Sequence, residues 1–425
     1  MNIRCNTQAA SQYVTESEIA SSIEQHYEQL IQLQSGSEEA RDFLGWLSVS
    51  EEPLARIKEE AARIQQLAQV LVVIGIGGSN RTAVAVCQVF SRDLKGPTSL
   101  FFAGDTLSPT RLEDALSLIE EKSVALNVIA KDFNTVEPGI TFRMLRSAMK
   151  KKYGPSYAQR IVVTGSDGEG QLFELAKSEG YTFLPFPKDV GGRFSAFTEV
   201  SLFPLCVAAV DIDSFLKGAK STQLQLRSED SKTNPAIRYA VFRNLIRKKG
   251  IVLESLVTFE PDLQAFVQWW IQLFAETEGK TDKVLFPIGF SYSEDLHAVG
   301  QYVQEGPKIL LETFLDLHYT QNPRIIESSK EDDGFSYLEG KPFSLLNKTV
   351  YQAAFAAHRE GGVPCIELCC DEVLTIESLG SLFYFFLFSV YCSASLLGVN
   401  PFNQNGVEGY KKAMYADLGK IGFSK

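Results

Sequence analysis

Two glutamates stand at the end of a predicted helix, where an acidic side chain is usually unfavourable. Glu276 and Glu278 lie in Gln272-Leu-Phe-Ala-Glu-Thr-Glu-Gly279, behind an apolar face of helical spacing that begins near Pro261. A carboxylate at the negative end of a helix dipole costs a few tenths of a kcal/mol, up to ~1 kcal/mol. Two such departures within three residues favour a functional explanation. The alternative is that both side chains are solvated and paired with neighbouring lysines.

Three cationic side chains elsewhere could complete such a site. Arg193 follows a glycine pair in Asp189-Val-Gly-Gly-Arg-Phe-Ser, and its rigid guanidinium suits an oxyanion. His297 is one of only four histidines and lies near a predicted helix start. Lys411 falls in the first turns of the last predicted helix, where a cation opposes the dipole. Taken singly, each also fits an ordinary structural or surface role.

Two loops have the position expected of phosphate-binding turns. Gly75-Ile-Gly-Gly-Ser79 follows a strand and opens a helix, so its free N–H groups and the helix N-terminus attract anions. Its spacing differs from the dinucleotide fingerprint, which leaves a bare turn or a sugar-phosphate cradle. Ala130-Lys-Asp-Phe-Asn-Thr-Val-Glu137 also follows a strand, but Thr135 is its only hydroxyl. On its own, this second loop is a weak candidate.

The elements that position these residues are typical of an α/β protein. Short apolar runs alternate with helical segments in two series, which predicts two doubly wound units with parallel sheets and a long helix, Ser201–Gly218, between them. The predicted strands are Val70–Ile74, Leu100–Ala103, Val124–Ala130, Ile161–Thr164 and Tyr181–Leu184, then Ile251–Phe259, Val284–Ile288, Ile309–Leu315 and Val363–Leu368. The predicted divisions are an N-terminal helical segment (1–50), two α/β domains (51–218 and 219–399) and a C-terminal helical arm (400–425).

Composition narrows the class of protein. The chain has 425 residues, of which 45% are hydrophobic and 22% charged, as in globular proteins of two or three domains. A net charge of −11 argues against nucleic acid or a membrane surface as partner. Seven cysteines without zinc or thioredoxin spacing indicate reduced thiols and a cytoplasmic protein. Leu379–Val399 is uncharged and long enough to span a membrane, but its serines and the lack of flanking basic clusters favour a buried helix.

Taken together, these motifs resemble the phosphoglucose isomerase family, in particular its compact bacterial members. The order matches along nearly the whole chain. The arginine and C-terminal motifs are highly specific, whereas the glycine motif is shared with other sugar-isomerase domains. The matching segments are Gly75–Ser79, Val190–Ser195, Glu276–Lys280, Leu296–Gly306 and Asn400–Lys411.

This resemblance implies two sugar-isomerase (SIS-type) domains, a homodimer, and reversible isomerisation of glucose 6-phosphate and fructose 6-phosphate through a cis-enediol, a step of glycolysis and gluconeogenesis. Glu276 would be the base and Arg193 would stabilise the enediolate, whereas Glu278 is interpreted as a solvated neighbour of the base. His297, from the partner subunit, and Lys411 would assist ring opening. No metal or other cofactor is implied. The implied substrate-binding residues are Gly78, Ser79, Lys131, Thr135, Gly192, Gln272 and Gln404.

The phosphate loop departs from the family's pattern of Ser-Lys-Ser/Thr-x-Thr-Thr. Ala130, Asp132 and Asn134 replace hydroxyl residues, and each hydrogen bond lost to a charged acceptor costs roughly 1.5–3 kcal/mol. Arg81 stands where the family has leucine, and this cation could replace lost phosphate affinity. The alternatives are therefore a paralogous isomerase of another sugar or sugar phosphate, or a catalytically weak regulatory protein that binds sugar phosphates. The complete set of catalytic residues favours an isomerase.

Overall fold

Two five-stranded sheets organise the chain. A computed structural model describes residues 2–36, 43–131, 133–318, 324–331 and 333–423. The strands are β1 Ile3–Asn6, β2 Val70–Ile74, β3 Ser99–Ala103, β4 Val124–Ala130, β5 Ile161–Gly165, β6 Thr182–Pro185, β7 Leu253–Thr258, β8 Phe286–Ser291, β9 Leu310–His318 and β10 Cys365–Val373. The helices are α1 Glu16–Gln25, α2 Tyr27–Ser35, α3 Leu54–Leu67, α4 Arg81–Val89, α5 Pro109–Glu121, α6 Val136–Tyr153, α7 Gln171–Glu179, α8 Glu199–Val207, α9 Ile212–Ser228, α10 Pro235–Arg247, α11 Gln264–Glu278, α12 Gly300–Glu305, α13 Phe343–Glu360, α14 Ile376–Leu396 and α15 Glu408–Asp417.

The first sheet is wholly parallel, with strand order β3-β2-β4-β5-β6. Successive residues of β2 alternate between two apolar clusters, one on each face of the sheet. This burial on both faces explains why β2 reads as an unbroken apolar run and why Asn127 is the only polar residue of β4. The loops that follow β2 and β4 leave the same edge of the sheet, where parallel α/β sheets bind ligands.

The second sheet has the order β1-β10-β9-β7-β8 and is parallel except for β1. Strand β1 lies antiparallel to β10, with Ile3 opposite Cys370. The pattern of residues 1–50 predicts helix and gives no sign of this strand. Its four residues alternate between buried and exposed positions, but the pairing depends on a partner far along the chain.

The predicted long helix Ser201–Gly218 is wrong, because the structure has two helices there. Helix α8 ends at Val207 and α9 begins at Ile212. Between them Ala209 adopts a φ of 62°, a left-handed conformation that breaks the helical run and that the residue type does not announce. The predicted boundary between residues 218 and 219 therefore falls inside α9.

Helix α14 is the apolar segment that could be mistaken for a membrane span. It is the one helix of the described residues long and apolar enough to cross a membrane, yet 89% of its most apolar window is buried inside the protein. Thr375 and Ser378 form a capping box at its start. The helix packs against α9, α10 and α11. The prediction of a buried helix is confirmed.

Candidate active site

Helix α11 carries the two glutamates at its last turn. An apolar face that includes Phe266, Trp270 and Phe274 holds the helix in the core. The helix ends at Glu278, and Gly279 caps it by donating its N–H to the Ala275 carbonyl at 2.9 Å. These observations agree with the predicted helix and its stop.

The Glu276 carboxylate lies between two donors. Gln272, one turn earlier, donates from Nε2 to Oε1 at 3.2 Å. Arg193 donates from Nη1 to Oε2 at 3.1 Å. The Glu276 side chain is 35% exposed, so a ligand can reach the carboxylate that these donors orient.

Arg193 connects several parts of the site through its hydrogen bonds. Its side chain is only 5% exposed, and its Nε donates to the Thr277 hydroxyl at 3.1 Å. The guanidinium also binds Gln404 Oε1 at 3.4 Å and the backbone carbonyls of residues 401–403 at 2.9–3.1 Å. Burial lowers the pKa of Arg193, and the Glu276 carboxylate opposes that shift. One arginine thus joins the glycine loop, α11 and the start of the C-terminal arm.

The two glycine turns pack directly against each other beside Arg193. A Cβ on Gly78 would lie 2.1 Å from the Gly192 carbonyl oxygen, so this approach requires glycine. Ser195 Oγ donates to the Gly78 carbonyl at 3.2 Å and to the Gly192 carbonyl at 2.7 Å. Ser79 closes the 3-10 turn Gly77–Ser79 beside them.

An open cavity of about 520 Å³ lies over this junction. It is bounded by the β2 loop, α4 and α11, and both the Glu276 carboxylate and Gln272 face it. The lining side chains with polar or charged groups are Asn80, Arg81, Gln88, Asp105, Gln264, Gln268, Gln272 and Glu276.

The loop after β4 is arranged differently from the predicted phosphate clamp. Lys131 Nζ donates to the carbonyls of Lys188 and Val190 at 2.8 Å and 3.0 Å, and burial lowers its pKa. Thr135 precedes α6 without a capping hydrogen bond from its side chain. The Tyr415 hydroxyl of the C-terminal arm donates to the Asn134 carbonyl at 2.8 Å. Asp132, a departure from the family pattern, lies outside the described residues.

His297 and Lys411 stand apart from the Glu276–Arg193 pair. His297 is exposed on the 3-10 turn Glu294–His297 that follows β8. Lys411 lies in the first turn of α15 and pairs with Glu408 at 3.0 Å. In the described parts of the chain, no hydrogen bond or ion pair joins either residue to Glu276 or Arg193. Their predicted roles therefore stay predictions.

Comparison with known proteins places this arrangement in a family. A model of the family described as phosphoglucose isomerase matches residues 60–418. The chain belongs to the phosphoglucose isomerase family. The glucose-6-phosphate isomerase of Symbiobacterium thermophilum is 42% identical over 394 residues, covering 90% of this chain and 88% of that protein.

Two solved structures share the fold. A hypothetical protein from Thermus thermophilus superposes with a TM-score of 0.87 at 25% identity, covering 98% of this chain and 100% of that one. A glucose-6-phosphate isomerase from Chlamydia trachomatis has a TM-score of 0.76 at 19% identity, covering 95% and 86%. The predictions of a phosphoglucose isomerase family member and of an α/β fold with two parallel-sheet domains and a helical C-terminus are confirmed.

One feature of this phosphoglucose isomerase fold contradicts the sequence interpretation. Glu278 is not solvated: it is 2% exposed, and its carboxylate accepts from Arg243 at 2.6 Å and 3.0 Å. Arg243 Nε donates to Glu254 at 2.6 Å, and Tyr239 donates to the same carboxylate at 2.6 Å. The sequence contains one sign of this network. Glu254 lies inside the apolar strand β7, and a buried carboxylate needs a buried partner.

Proposed function

We propose that the chain catalyses the reversible isomerisation of glucose 6-phosphate and fructose 6-phosphate. The observation that carries the proposal is the 3.1 Å pair of Arg193 and Glu276, with the carboxylate facing an open cavity. Membership of the phosphoglucose isomerase family and the names of the relatives support this substrate over another sugar.

In the proposed mechanism Glu276 moves one proton between neighbouring carbons. It removes the proton from C2 of the open-chain aldose while O1 gains a proton, which gives the cis-enediol. Return of the proton from Glu276 to C1, with loss of the O2 proton, gives the ketose. Arg193 stabilises the negative charge that develops on the enediolate oxygens, and Gln272 fixes the orientation of the carboxylate.

The test compares turnover of glucose 6-phosphate with that of mannose 6-phosphate and free glucose. Of these three sugars, we expect only glucose 6-phosphate to be converted rapidly. Rapid conversion of a different sugar with none of glucose 6-phosphate would identify a paralogous isomerase. Binding of glucose 6-phosphate without conversion of any sugar would identify a regulatory protein.

The proposal includes a cytoplasmic homodimer in which the partner subunit supplies His297 and Lys411 assists ring opening. The exposed position of His297 and its separation from Glu276 support this arrangement. All seven cysteines are free, as suits a reducing compartment. Residues 51–218 and 219–399 form the two proposed domains and 400–425 the arm that completes the site, with α9 running across the boundary between the domains.

Subunit mixing tests the shared site. His297→Gln and Glu276→Gln chains are each expected to be inactive when assembled alone. When the two are unfolded together and reassembled, a heterodimer has one site with both native residues only if His297 acts across the interface. Recovery of about a quarter of wild-type activity is expected. Absence of recovery in proven heterodimers would place His297 in its own subunit's site.

A further inference from the structure

The substrate's phosphate needs a cationic or hydroxyl partner, and the loop after β4 provides few. Ala130 has no donor in its side chain, and the Lys131 ammonium is engaged by two backbone carbonyls at 2.8 Å and 3.0 Å. Of the loop residues that the structure describes, Thr135 is the only one with a side-chain hydroxyl. A phosphate dianion held by this loop alone would lack the multiple charge-assisted hydrogen bonds that tight binding requires.

Arg81 offers the charged hydrogen-bond donors for a phosphate that the loop after β4 lacks. It is the first residue of α4, and its Nη1 donates to the Gln268 carbonyl at 3.1 Å. The described residues contain no carboxylate within ion-pair distance of Arg81. A guanidinium carries five N–H donors, so most of its donors remain available. It is also the only basic side chain among the described residues that line the cavity over Glu276.

The position of Arg81 suits one end of a hexose phosphate. Its contact Gln268 lies eight residues before Glu276 on α11, about 12 Å along the helix axis. The sugar carries its reacting carbons at one end and its phosphate at the other, so a base and a cation at separate points of one cavity match both ends. The cavity of about 520 Å³ falls in the usual range for small-ligand sites.

Other charges at the cavity limit where the anion can lie. The two acidic residues that line it are Asp105 and Glu276, and neither pairs with Arg81. A dianion beside either carboxylate would be repelled. The start of α4, where Arg81 is the first residue, also attracts anions through its free N–H groups. Charge therefore favours the Arg81 end of the cavity.

We propose that Arg81 is the principal phosphate-binding side chain, in a subsite for a phosphate monoester at the start of α4. This inference rests on the proposed isomerase function. The guanidinium would hold two phosphate oxygens in a bidentate pair and so replace the hydroxyl contacts missing after β4. The substrate would lie along α11, with its phosphate at Arg81 and its C1 and C2 at Glu276.

The test combines Arg81→Leu and Arg81→Lys with the control Arg92→Leu. Arg92 lies beyond the other end of α4, its side chain is 75% exposed and it does not line the cavity. For Arg81→Leu we expect at least a tenfold rise in KM for glucose 6-phosphate, with kcat affected less. Competitive inhibition by inorganic phosphate should weaken by the same factor. Arg81→Lys should restore part of both, and Arg92→Leu should change neither by more than twofold.

A folded Arg81→Leu enzyme whose KM and inhibition by phosphate change less than threefold would overturn the inference. Thermal melting shows whether the variant is folded, and if it is not, Arg81→Lys is judged by the same threshold. If the wild-type protein does not convert glucose 6-phosphate, the proposed function fails separately. Calorimetric binding of inorganic phosphate to the wild type and to Arg81→Leu then decides the subsite, since equal affinities would contradict it.

Discussion

Two buried arginines flank the last turn of α11, and they differ in how fully their charge is balanced. Arg193 has one carboxylate partner, Glu276, and its remaining partners are neutral oxygens. Arg243 has two carboxylate partners, Glu254 and Glu278. Burial lowers the pKa of both guanidinium groups. At Arg243 the two carboxylates outweigh burial and raise the pKa overall, whereas at Arg193 the effect of burial prevails.

We propose that this difference separates a catalytic position, Arg193, from a structural one, Arg243. Arg193 can still stabilise a further negative charge, and its carboxylate partner faces the open cavity. Arg243 is 2% exposed and its carboxylates are sealed, so it fastens α10, β7 and the end of α11 to one another. The last turn of α11 is therefore held on one side by Arg243, in a buried ion-pair network, and on the other by Arg193, which we propose to interact with the substrate.

The largest effect is expected from Glu276→Gln, which removes the carboxylate that pairs with Arg193. The rate should fall about 10³-fold or more, because an amide cannot accept the C2 proton. Sugar-phosphate binding should be nearly intact. Exchange of the C2 proton with deuterated solvent, followed by NMR, measures the loss directly. The exposed change Asp282→Asn is the control, and full activity in Glu276→Gln would refute the assignment of the base.

On the structural side, Arg243→Met should lower the free energy of unfolding by about 3–5 kcal/mol, because it leaves two buried carboxylates unpaired. Activity per folded molecule should change little. Arg193→Lys is the matched variant with the opposite outcome: a loss of kcat/KM of about 10²-fold with a smaller change in stability. Denaturant unfolding and steady-state kinetics measure both. If Arg243→Met mainly lowered kcat, the contrast between the two arginines would be wrong.

A smaller effect is expected from restoring hydroxyls after β4. Ala130→Ser combined with Asp132→Ser should lower KM for glucose 6-phosphate only slightly, because no described residue of this loop lines the cavity in which Arg81 is proposed to hold the phosphate. Inhibition constants for inorganic phosphate should follow the same change. The single variant Asp167→Ser, on the exposed turn after β5, controls for loss of charge. A large fall in KM would mean that this loop, and not Arg81, is the main phosphate-binding element.

The smallest effect concerns Lys280, which follows the C-terminal end of α11. Burial and the nearby Arg193 lower its pKa to about 8, below the ordinary 10.5. Above pH 8 the unfolded chain retains a proton that the folded one has lost, so the unfavourable contribution of Lys280 fades as pH rises. The wild type should therefore gain stability relative to Lys280→Met between pH 7 and pH 9.5. A difference independent of pH would contradict the shift.

The core of the fold could be predicted from sequence because it rests on local patterns. All nine strands of the two parallel series were expected within a few residues, since buried strands are continuous apolar runs. The roles of Glu276 and Arg193 were expected from the resemblance of their motifs to the phosphoglucose isomerase family. What could not be predicted depends on long-range partners: the role of Glu278 required Arg243 from another helix, and β1 required β10.

The N-terminal strand has a consequence for how the chain is made. Ile3 pairs with Cys370, and Arg4 forms an ion pair with Asp371 at 2.6 Å, so β1 emerges from the ribosome long before its partner. The first sheet contains only β2 to β6 and can assemble while synthesis continues. The second sheet pairs segments of very high contact order and cannot be complete until β10 has left the ribosome. Its edge strand is therefore added after most of the protein has been translated.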